Sequence, residues 1–278
     1  MSVEMPEAKI LSKQINETLK GKKVKGYDLK DVEKIHSIGF LNKNLKDFDM
    51  LVGRTILGTV SRGNTVRIYM DESVNLILTP EYGGVVLYTS SDANKRLYHL
   101  QLAFTDGGVL TVRLSGMGVI YATRDDGLEF IYVFHRDFGI TPTPGDENFT
   151  YEGFKSQLKA RNTQLKPLLV GKDAAIAGFG NSSFQDILFR SKIHPRRKSG
   201  ELTEKDTNAI YNAINDLVSE RLKAGGKSEW FDLKGRRGEY TPKMGPNMKA
   251  RRCPRCGLAI DSMNLGGGVV FYCPGCQK

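Results

Sequence analysis

Long apolar runs are missing from this 278-residue chain. No stretch approaches the roughly 20 consecutive apolar residues that a membrane-spanning helix needs. The N-terminus lacks the basic-then-apolar order of a secretory signal. We therefore expect an intracellular protein, either cytoplasmic or associated with the nucleoid, with no membrane partner.

Acidic residues are too few to balance the basic ones. The chain has 31 Asp and Glu against 41 Lys and Arg, a formal net charge of +10. A surplus of this size favours polyanionic partners, most simply nucleic acid. The basic residues cluster at 20–25, at 190–198 (RSKIHPRRK) and at 234–255. A solvated basic face is the alternative explanation. No aromatic stacking platform is evident, which makes RNA binding the weaker hypothesis.

Cysteine is absent from the first 252 residues, and all four cysteines lie in the last 26. Two residues separate Cys253 from Cys256, and two separate Cys273 from Cys276. Sixteen residues lie between these two Cys-x2-Cys motifs. This spacing is typical of a tetrahedral zinc site. Two disulfides are the alternative, which an intracellular location disfavours. Because four thiolates leave no open coordination position, the sequence predicts structural Zn²⁺ that folds a short module.

The hydrophobic pattern changes along the chain. Residues 6–19 place apolar side chains on one helical stripe. From about 54 to 135, eight short β-branched and aromatic runs alternate with turn residues, the last run being EFIYVF at 129–134. That pattern predicts antiparallel strands in a sandwich or barrel. After 141–150 the period becomes helical, and Thr203 with Asp206 approximates a capping box.

These patterns predict an α+β fold. An N-terminal helix and an antiparallel β-sandwich form residues 1–140, and a Pro-rich linker follows at 141–150. Residues 151–245 are helical and end in a long Gly- and Lys-rich loop, and residues 246–278 form a zinc-finger hairpin.

A glycine turn precedes one of the predicted helices. GFGNSSFQDILFRSKIHP begins at Gly178 and places Gly180 and Asn181 ahead of an amphipathic segment. Glycines let the backbone approach a ligand, and a helix N-terminus offers unpaired N–H groups. The turn therefore suits a phosphate group. A simple N-cap role for Asn181 is the alternative.

The chain resembles the formamidopyrimidine-DNA glycosylase and endonuclease VIII family over nearly its whole length. The resemblance is most specific in this segment, in LKPLL at 165–169 and in the terminal FYCPGCQK. The resemblance implies a helix–two-turn–helix DNA-binding module within 151–245. It also implies an enzyme that cleaves damaged bases from DNA and nicks the abasic strand. Lys166 and Asn181 match family residues that hold the phosphate beside the flipped nucleotide.

The first residues resemble the catalytic terminus of that family. The family reads Pro-Glu-x-Pro-Glu after loss of the initiator Met, and its terminal amine attacks the sugar C1′. Glu4, Pro6 and Glu7 match this frame, Val3 stands at the proline position, and Ser2 lies one residue further out. The resemblance thus implies that Ser2, or Val3 in a chain that begins there, supplies the amine and that Glu4 serves acid–base steps.

Several family positions carry different residues here. Asn64 replaces a strand-turn lysine that contacts phosphates, Tyr82 replaces a void-filling methionine, and Gly268 replaces the finger arginine. The loop with Gly116 and Gly118 has no wedge aromatic. Each missing cation removes a charge-assisted phosphate contact.

Two functions follow from the resemblance and the departures. The first is a DNA glycosylase and abasic-site lyase that acts through its N-terminal amine on damaged or abasic DNA. Single-stranded DNA is included, because an unpaired strand leaves no gap to fill. The second is a non-catalytic module that binds damaged or bent DNA on the same scaffold. Glu4 favours the first, and Asn64 with Gly268 favours the second. No protein partner is inferred.

Overall fold

The chain folds into two units. The computed structural model describes residues 3–80, 84–90, 97–140, 142–171 and 174–278. Met1–Gly139 with Gly225–Glu239 forms the N-terminal unit, and Ile140–Ala224 with Tyr240–Lys278 forms the C-terminal unit. This division differs from the predicted domains, because residues 225–239 fold with the sandwich and the finger residues fold with the helices.

Within its described residues, the N-terminal unit combines three α-helices with two antiparallel sheets. The helices are α1 (Met5–Leu19), α2 (Glu33–Ser37) and α3 (Tyr132–Phe134), and the strands are β1 (Val24–Leu29), β2 (Ile56–Arg62), β3 (Thr65–Met70), β4 (Val74–Leu78), β5 (Val85–Thr89), β6 (Leu100–Phe104), β7 (Val109–Arg113) and β8 (Ile120–Arg124). The strand orders are β1-β6-β7-β5 and β2-β3-β4-β8. The α+β sandwich predicted from the sequence is confirmed.

One apolar core joins the two sheets and α1. Ile68 of β3 and Leu102 of β6 are both buried in it, with Leu11 and Ile15 from the predicted stripe of α1. Alternate residues of a strand point to opposite faces, so each sheet turns one face inward. Burial of each large aliphatic side chain stabilises the unit by about 1.5–3 kcal/mol.

One strand prediction was wrong, and one strand was missed. The run EFIYVF does not form a strand, because residues Asp125–Phe130 adopt a 3₁₀ helix and α3 follows. Phe130 is 81% exposed and Tyr132 is 56% exposed, so no sheet face buries this run. Conversely, β1 was not predicted. It lies in a Lys-rich stretch and pairs with β6 while burying Val24. The other seven predicted runs form β2 to β8.

The C-terminal unit is helical with one hairpin. It contains α4 (Tyr151–Lys159), α5 (Leu165–Leu169), α6 (Asn181–Ser191), α7 (Glu204–Lys223), β9 (Asp261–Leu265) and β10 (Gly268–Tyr272). The helix α6 packs against α7 and β10. The predicted capping box of α7 is confirmed, since Thr203 Oγ1 accepts from Asp206 N at 3.1 Å and Asp206 Oδ2 accepts from Thr203 N at 3.0 Å.

Part of the predicted linker belongs to the C-terminal unit. Phe149 is buried there and stacks on Tyr211 of α7 with ring centroids 5.2 Å apart. Across the described ranges, no helix combines the length and the apolar character that crossing a membrane requires.

Candidate functional site

The start of α1 buries two carboxylates. Glu4 is the N-cap of α1, and its backbone N–H donates to Glu7 Oε2 at 3.2 Å in a capping box. Both side chains are buried, and the Val3 side chain beside them lies in the sandwich core. A helix N-terminus favours negative charge, which helps to hold carboxylates there. Val3 thus anchors the chain next to Glu4, while Ser2 lies outside the described residues.

The first part of the predicted long loop forms hydrogen bonds with α1. Lys227 N donates to Glu7 Oε1 at 3.1 Å, and Gln14 Nε2 donates to Asp232 Oδ2 at 2.9 Å. Trp230 and Leu233 are buried in the sandwich core. Sequence reasoning missed this docking, although an apolar Trp and Leu inside a Gly- and Lys-rich stretch were a visible signal.

The Arg136–Asp137 ion pair contacts the turn between β2 and β3. Asn64 Oδ1 accepts from Arg136 Nη2 at 2.7 Å, and Arg136 Nη2 also donates to Asp137 Oδ2 at 2.9 Å. Thr65 Oγ1 donates to the same buried carboxylate at 2.6 Å. Because Asp137 neutralises Arg136, this guanidinium does not supply the net positive charge that a lysine at position 64 would bring.

The loop between β7 and β8 presents an apolar side chain. Met117 is 55% exposed and stands between Gly116 and Gly118, whose φ is +139°. The sequence analysis considered only an aromatic side chain for this loop and overlooked Met117. Tyr82, the other predicted gap position, lies outside the described residues.

In the C-terminal unit, Lys166 and Asn181 both reach the β9–β10 hairpin. Lys166 Nζ donates to Leu265 O at 2.5 Å, and Asn181 Nδ2 donates to Val269 O at 2.9 Å. Burial lowers the pKa of Lys166. The N-cap of α6 is Gly180, so the alternative N-cap role for Asn181 is wrong.

The hairpin turn brings Gly268 to the same place. Gly266 and Gly267 have φ of +50° and +77°, the positive values that a two-residue type I′ turn requires. A Cβ at Gly268 would lie 3.6 Å from Lys166 Nζ and 3.6 Å from Asn181 Nδ2. An ammonium, an amide and the N-terminus of α6 thus meet beside the hairpin, a set of donors suited to a phosphate.

The four cysteines form one cluster. Their Sγ atoms all lie within 4.8 Å of one another, and Cys253–Cys276 and Cys256–Cys273 are separated by 3.8 and 3.4 Å. A tetrahedral zinc with bonds of about 2.3 Å places its sulfurs about 3.8 Å apart, so the donor set fits this ion. All four thiols are free, so the alternative of two disulfides is not observed.

Backbone amides support the thiolates of this cluster. Arg255 N donates to Cys253 Sγ and Cys276 N to Cys273 Sγ, both at 3.4 Å. Burial disfavours the Cys253 thiolate, yet the backbone N–H groups of Arg255 and Cys256 lower the pKa of Cys253 to about 7. Burial raises the pKa of Cys273 and of Cys276, so metal binding there would release protons. Thiolates are the form that binds metal.

Hydrogen bonds join the segment with the cysteine cluster to α6 and to the residues that follow it. Gln185 Oε1 accepts from Phe271 N at 2.7 Å, and Gln277 Nε2 donates to Ile193 O at 2.9 Å. The Arg255 guanidinium lies 4.1 Å from the centre of the Phe189 ring. The hairpin that meets Lys166 is therefore positioned from both α6 and the cysteine cluster.

A buried ion network that sequence reasoning missed holds α6 itself. Asp186 Oδ1 accepts from Arg190 Nε at 2.9 Å, and Tyr240 OH donates to Asp186 Oδ2. Arg190 also makes a two-point pair with Glu220 of α7 at 2.8 and 2.7 Å, and this hydrogen bonding lowers the pKa of Glu220 to about 2. The network fixes the helix whose N-terminus carries Asn181.

Two family models match the chain. The formamidopyrimidine-DNA glycosylase N-terminal domain matches residues 3–114, and the formamidopyrimidine-DNA glycosylase H2TH domain matches residues 140–231. The chain is 28% identical over 281 residues to the formamidopyrimidine-DNA glycosylase of Pelotomaculum thermopropionicum, covering 99% of each. It is 29% identical over 241 residues to that of Brevibacillus brevis, covering 82% of this chain and 83% of the relative.

Solved structures share the fold. The chain is similar to Lactococcus lactis Fpg in a complex with DNA that contains an abasic site, with a TM-score of 0.85, 22% identity and 99% of both chains covered. A structure of MutM in complex with DNA containing carbocyclic 8-oxo-G gives a TM-score of 0.83, also at 22% identity and 99% coverage of both chains.

Proposed function

The chain belongs to the formamidopyrimidine-DNA glycosylase family, and we propose that it removes a damaged base from DNA and cleaves the strand at the abasic site. The observation that carries this proposal is the buried pair Glu4 and Glu7 at the start of α1, in the frame of the family's catalytic terminus. The named relatives and the DNA bound in the similar structures support it. A DNA substrate implies an intracellular location.

The chemistry assigned to the first residues is amine catalysis. An α-amine at Ser2, or at Val3 in a chain that begins there, attacks C1′ of the sugar, and the damaged base leaves with the electron pair of the C1′–N bond. Opening of the C1′–O4′ bond, with loss of a proton from the attacking nitrogen, then gives the imine. Glu4 transfers the protons that this addition and the later strand cleavage require. An unperturbed α-amine has a pKa of about 7.7–8.0, so part of it is neutral and nucleophilic at pH 7.

The Lys166, Asn181 and Gly268 cluster is assigned to phosphate binding. We expect Lys166→Ala to weaken DNA binding about tenfold for every sequence and to reduce the slope of log affinity against log salt by about 0.9. Asn181→Ala weakens binding without changing the slope, because no charge is lost. Fluorescence anisotropy at several salt concentrations measures both, with the exposed Lys159→Ala as the matched control. Unchanged affinity in both variants contradicts this assignment.

Restoring a cation to the hairpin is expected to strengthen binding. The 3.6 Å contacts of a Cβ at Gly268 are ordinary van der Waals distances, so the backbone there accepts a side chain without a clash at Cβ. We expect about five- to tenfold tighter DNA binding and a salt slope about 0.9 steeper. Gly268→Gln tests side-chain size without charge. An arginine variant that binds no tighter than the glutamine variant shows that position 268 does not face the DNA.

The cysteine cluster is proposed to hold structural Zn²⁺ through Cys253, Cys256, Cys273 and Cys276. The ion would supply the link between the two turns that carry these pairs, and no catalytic step requires it. Its function is to hold the hairpin beside Lys166.

The non-catalytic module remains the second candidate. Two positions favour it, because neither offers a net positive charge to the DNA backbone. Asn64 accepts a hydrogen bond from Arg136, whose charge Asp137 neutralises, and Gly268 has no side chain. Oligonucleotides with an oxidised base or an abasic site, single-stranded and duplex, distinguish the candidates. Strand cleavage with a borohydride-trapped adduct supports the enzyme, and damage-selective binding without either supports the module. Cleavage mainly of single strands supports single-stranded DNA as a substrate.

A further inference from the structure

Two basic segments that are far apart in the sequence meet at the cysteine cluster. Cys253 Sγ lies 3.8 Å from Cys276 Sγ, and Lys278 follows Cys276 by two residues. The backbone N–H of Lys278 donates to Lys192 O at 3.0 Å, directly after the last residue of α6. The C-terminal end of α6 therefore lies beside the basic segment 249–255.

These two segments expose positive charge, and we call the set of exposed cations the distal basic surface. Its members are Lys192, Arg196, Lys249, Arg251, Arg252 and Arg255. Among the described residues, none of these side chains forms an ion pair with a carboxylate, whereas Arg197 of the first segment pairs with Asp206 at 3.2 Å. Unpaired cations are thus concentrated beside the cysteine cluster.

The length of α6 separates the distal basic surface from the cluster assigned to phosphate binding. Asn181 is the first residue of α6 and Lys192 lies eleven positions later, which is about 16 Å at 1.5 Å per residue. The strand β10 runs beside α6 in the same direction, since Asn181 donates to Val269 O and Gln185 accepts from Phe271 N. A helix N-terminus directs its unpaired N–H groups outward along the axis, so a phosphate bound there does not reach the cations at the far end of α6.

Part of this charge has a structural explanation. Four thiolates around Zn²⁺ carry a net charge of about −2, which nearby cations offset. Arg255 Nη1 donates to a carbonyl in the last turn of α6 at 2.5 Å, where the helix dipole favours a cation, and Arg252 Nη1 donates to Gly257 O at 3.1 Å. Asp261, which accepts from Tyr272 OH, offsets one more charge. The other four members of the surface make no such side-chain contact among the described residues, so these roles do not account for them.

We propose that the distal basic surface binds the phosphate backbone of a second DNA segment while the cluster at the other end of α6 holds the first. This inference rests on the proposed function for DNA as the ligand of that cluster. Exposed Lys and Arg side chains form charge-assisted hydrogen bonds with phosphates and release counterions from DNA. With two such surfaces the protein passes directly from one DNA segment to another, because the second contact forms before the first breaks.

Dissociation in the presence of competitor DNA tests this proposal. A fluorescent duplex of about 15 base pairs is bound to the full-length protein, and unlabelled duplex of the same sequence is added at increasing concentration. The duplex is about 50 Å long at 3.4 Å per base pair and is far shorter than the persistence length of about 150 base pairs, so one duplex does not bend round to both ends of α6. The decay of fluorescence anisotropy gives the dissociation rate.

Two triple variants separate the distal basic surface from a general effect of charge. One removes three of its cations: Arg196→Gln, Lys249→Gln and Arg251→Gln. The matched control removes three exposed cations elsewhere in the C-terminal unit: Lys159→Gln, Lys205→Gln and Lys223→Gln. Both variants change the net charge by the same amount and keep all four cysteines. Zinc content and thermal unfolding check the fold of each.

We expect competitor duplex to raise the dissociation rate of the unsubstituted protein and of the control variant at least about threefold. In the distal variant the rate should not depend on competitor. Sedimentation velocity of the unsubstituted protein with excess duplex at low salt should show one chain with two duplexes, which decides the proposal even when the distal variant does not fold. Single-turnover cleavage of an abasic duplex should stay within about twofold in both variants, because neither changes Glu4 or the phosphate cluster.

The contrary outcomes are distinct from failure of the proposed function. A competitor-independent rate and a single bound duplex, in a protein that Lys166→Ala weakens, overturn the second surface and leave the proposed function standing. Equal competitor dependence in the two triple variants also overturns it. Acceleration by poly-glutamate but not by duplex DNA overturns it in favour of an acidic protein segment. No binding of the duplex by any form overturns the proposed function and this inference together.

Discussion

Strand cleavage at an abasic site is expected to fall at least about 100-fold in Glu4→Gln, the lower end of the range that a positioned general acid or base contributes. Glutamine has the shape of glutamate, but it does not transfer protons at neutral pH. Glu4 is buried at the N-cap of α1, so its carboxyl is held in one place and solvent does not replace it. Single-turnover cleavage of an abasic oligonucleotide measures the change.

Glu17→Gln is the matched control for this prediction. Glu17 lies on the same helix and is exposed, so its replacement removes the same charge without touching the buried pair. DNA affinity should stay within about twofold in both variants, because Glu4 is assigned to chemistry and the salt-dependent phosphate contacts are assigned to the C-terminal unit. Equal cleavage by Glu4→Gln and Glu17→Gln contradicts the acid–base role of Glu4.

Loss of one metal ligand is expected to have the second large effect. Cys273 is buried and hydrogen-bonded through its backbone to Gln277, so Cys273→Ser removes a ligand from the interior of the cluster. Structural zinc sites contribute about 10–16 kcal/mol of apparent binding free energy, which becomes folding free energy of the segment that they close. We expect zinc content to fall from one ion per chain to nearly none and DNA affinity to fall at least about tenfold.

The physical link between metal and DNA is the hairpin. Without the ion, β9 and β10 lose the closure that holds Leu265 against Lys166 and Val269 against Asn181. Elemental analysis gives the zinc content, and anisotropy titration gives the affinity. Chelation of the unsubstituted protein should reproduce the defect, and Zn²⁺ but not Mg²⁺ should reverse it, because thiolates prefer the softer ion. Undiminished DNA binding after complete zinc removal contradicts this link.

The two sets of tests probe different units. Glu4 and Glu7 lie in the N-terminal unit, whereas Lys166, Asn181 and the cysteines lie in the C-terminal unit. Substitutions in the first set should change cleavage and trapping, and those in the second should change affinity and salt dependence. A binder without catalysis would respond to the second set alone, which separates the two candidate functions.

Local patterns predicted most of the secondary structure. Seven runs of β-branched and aromatic residues became β2 to β8, because alternation directly reflects the two faces of a strand. The strand predicted at EFIYVF was wrong because composition alone does not reveal whether a sheet face is available to bury these residues. The strand β1 was missed for the opposite reason, since pairing with β6 outweighs its polar, Lys-rich composition.

By itself the sequence determined the features whose spacing is local: the two Cys-x2-Cys pairs, the frame of Glu4, Pro6 and Glu7, and the turn before α6. Only the tertiary structure decided which distant residues meet. Lys227 reaches Glu7 across 220 positions, and Lys166 reaches Leu265 across 99. Such contacts arise when apolar anchors such as Trp230 are buried and carry polar neighbours with them. Periodicity reports the conformation of a segment, whereas its packing partner is chosen by the shape and burial of the whole core.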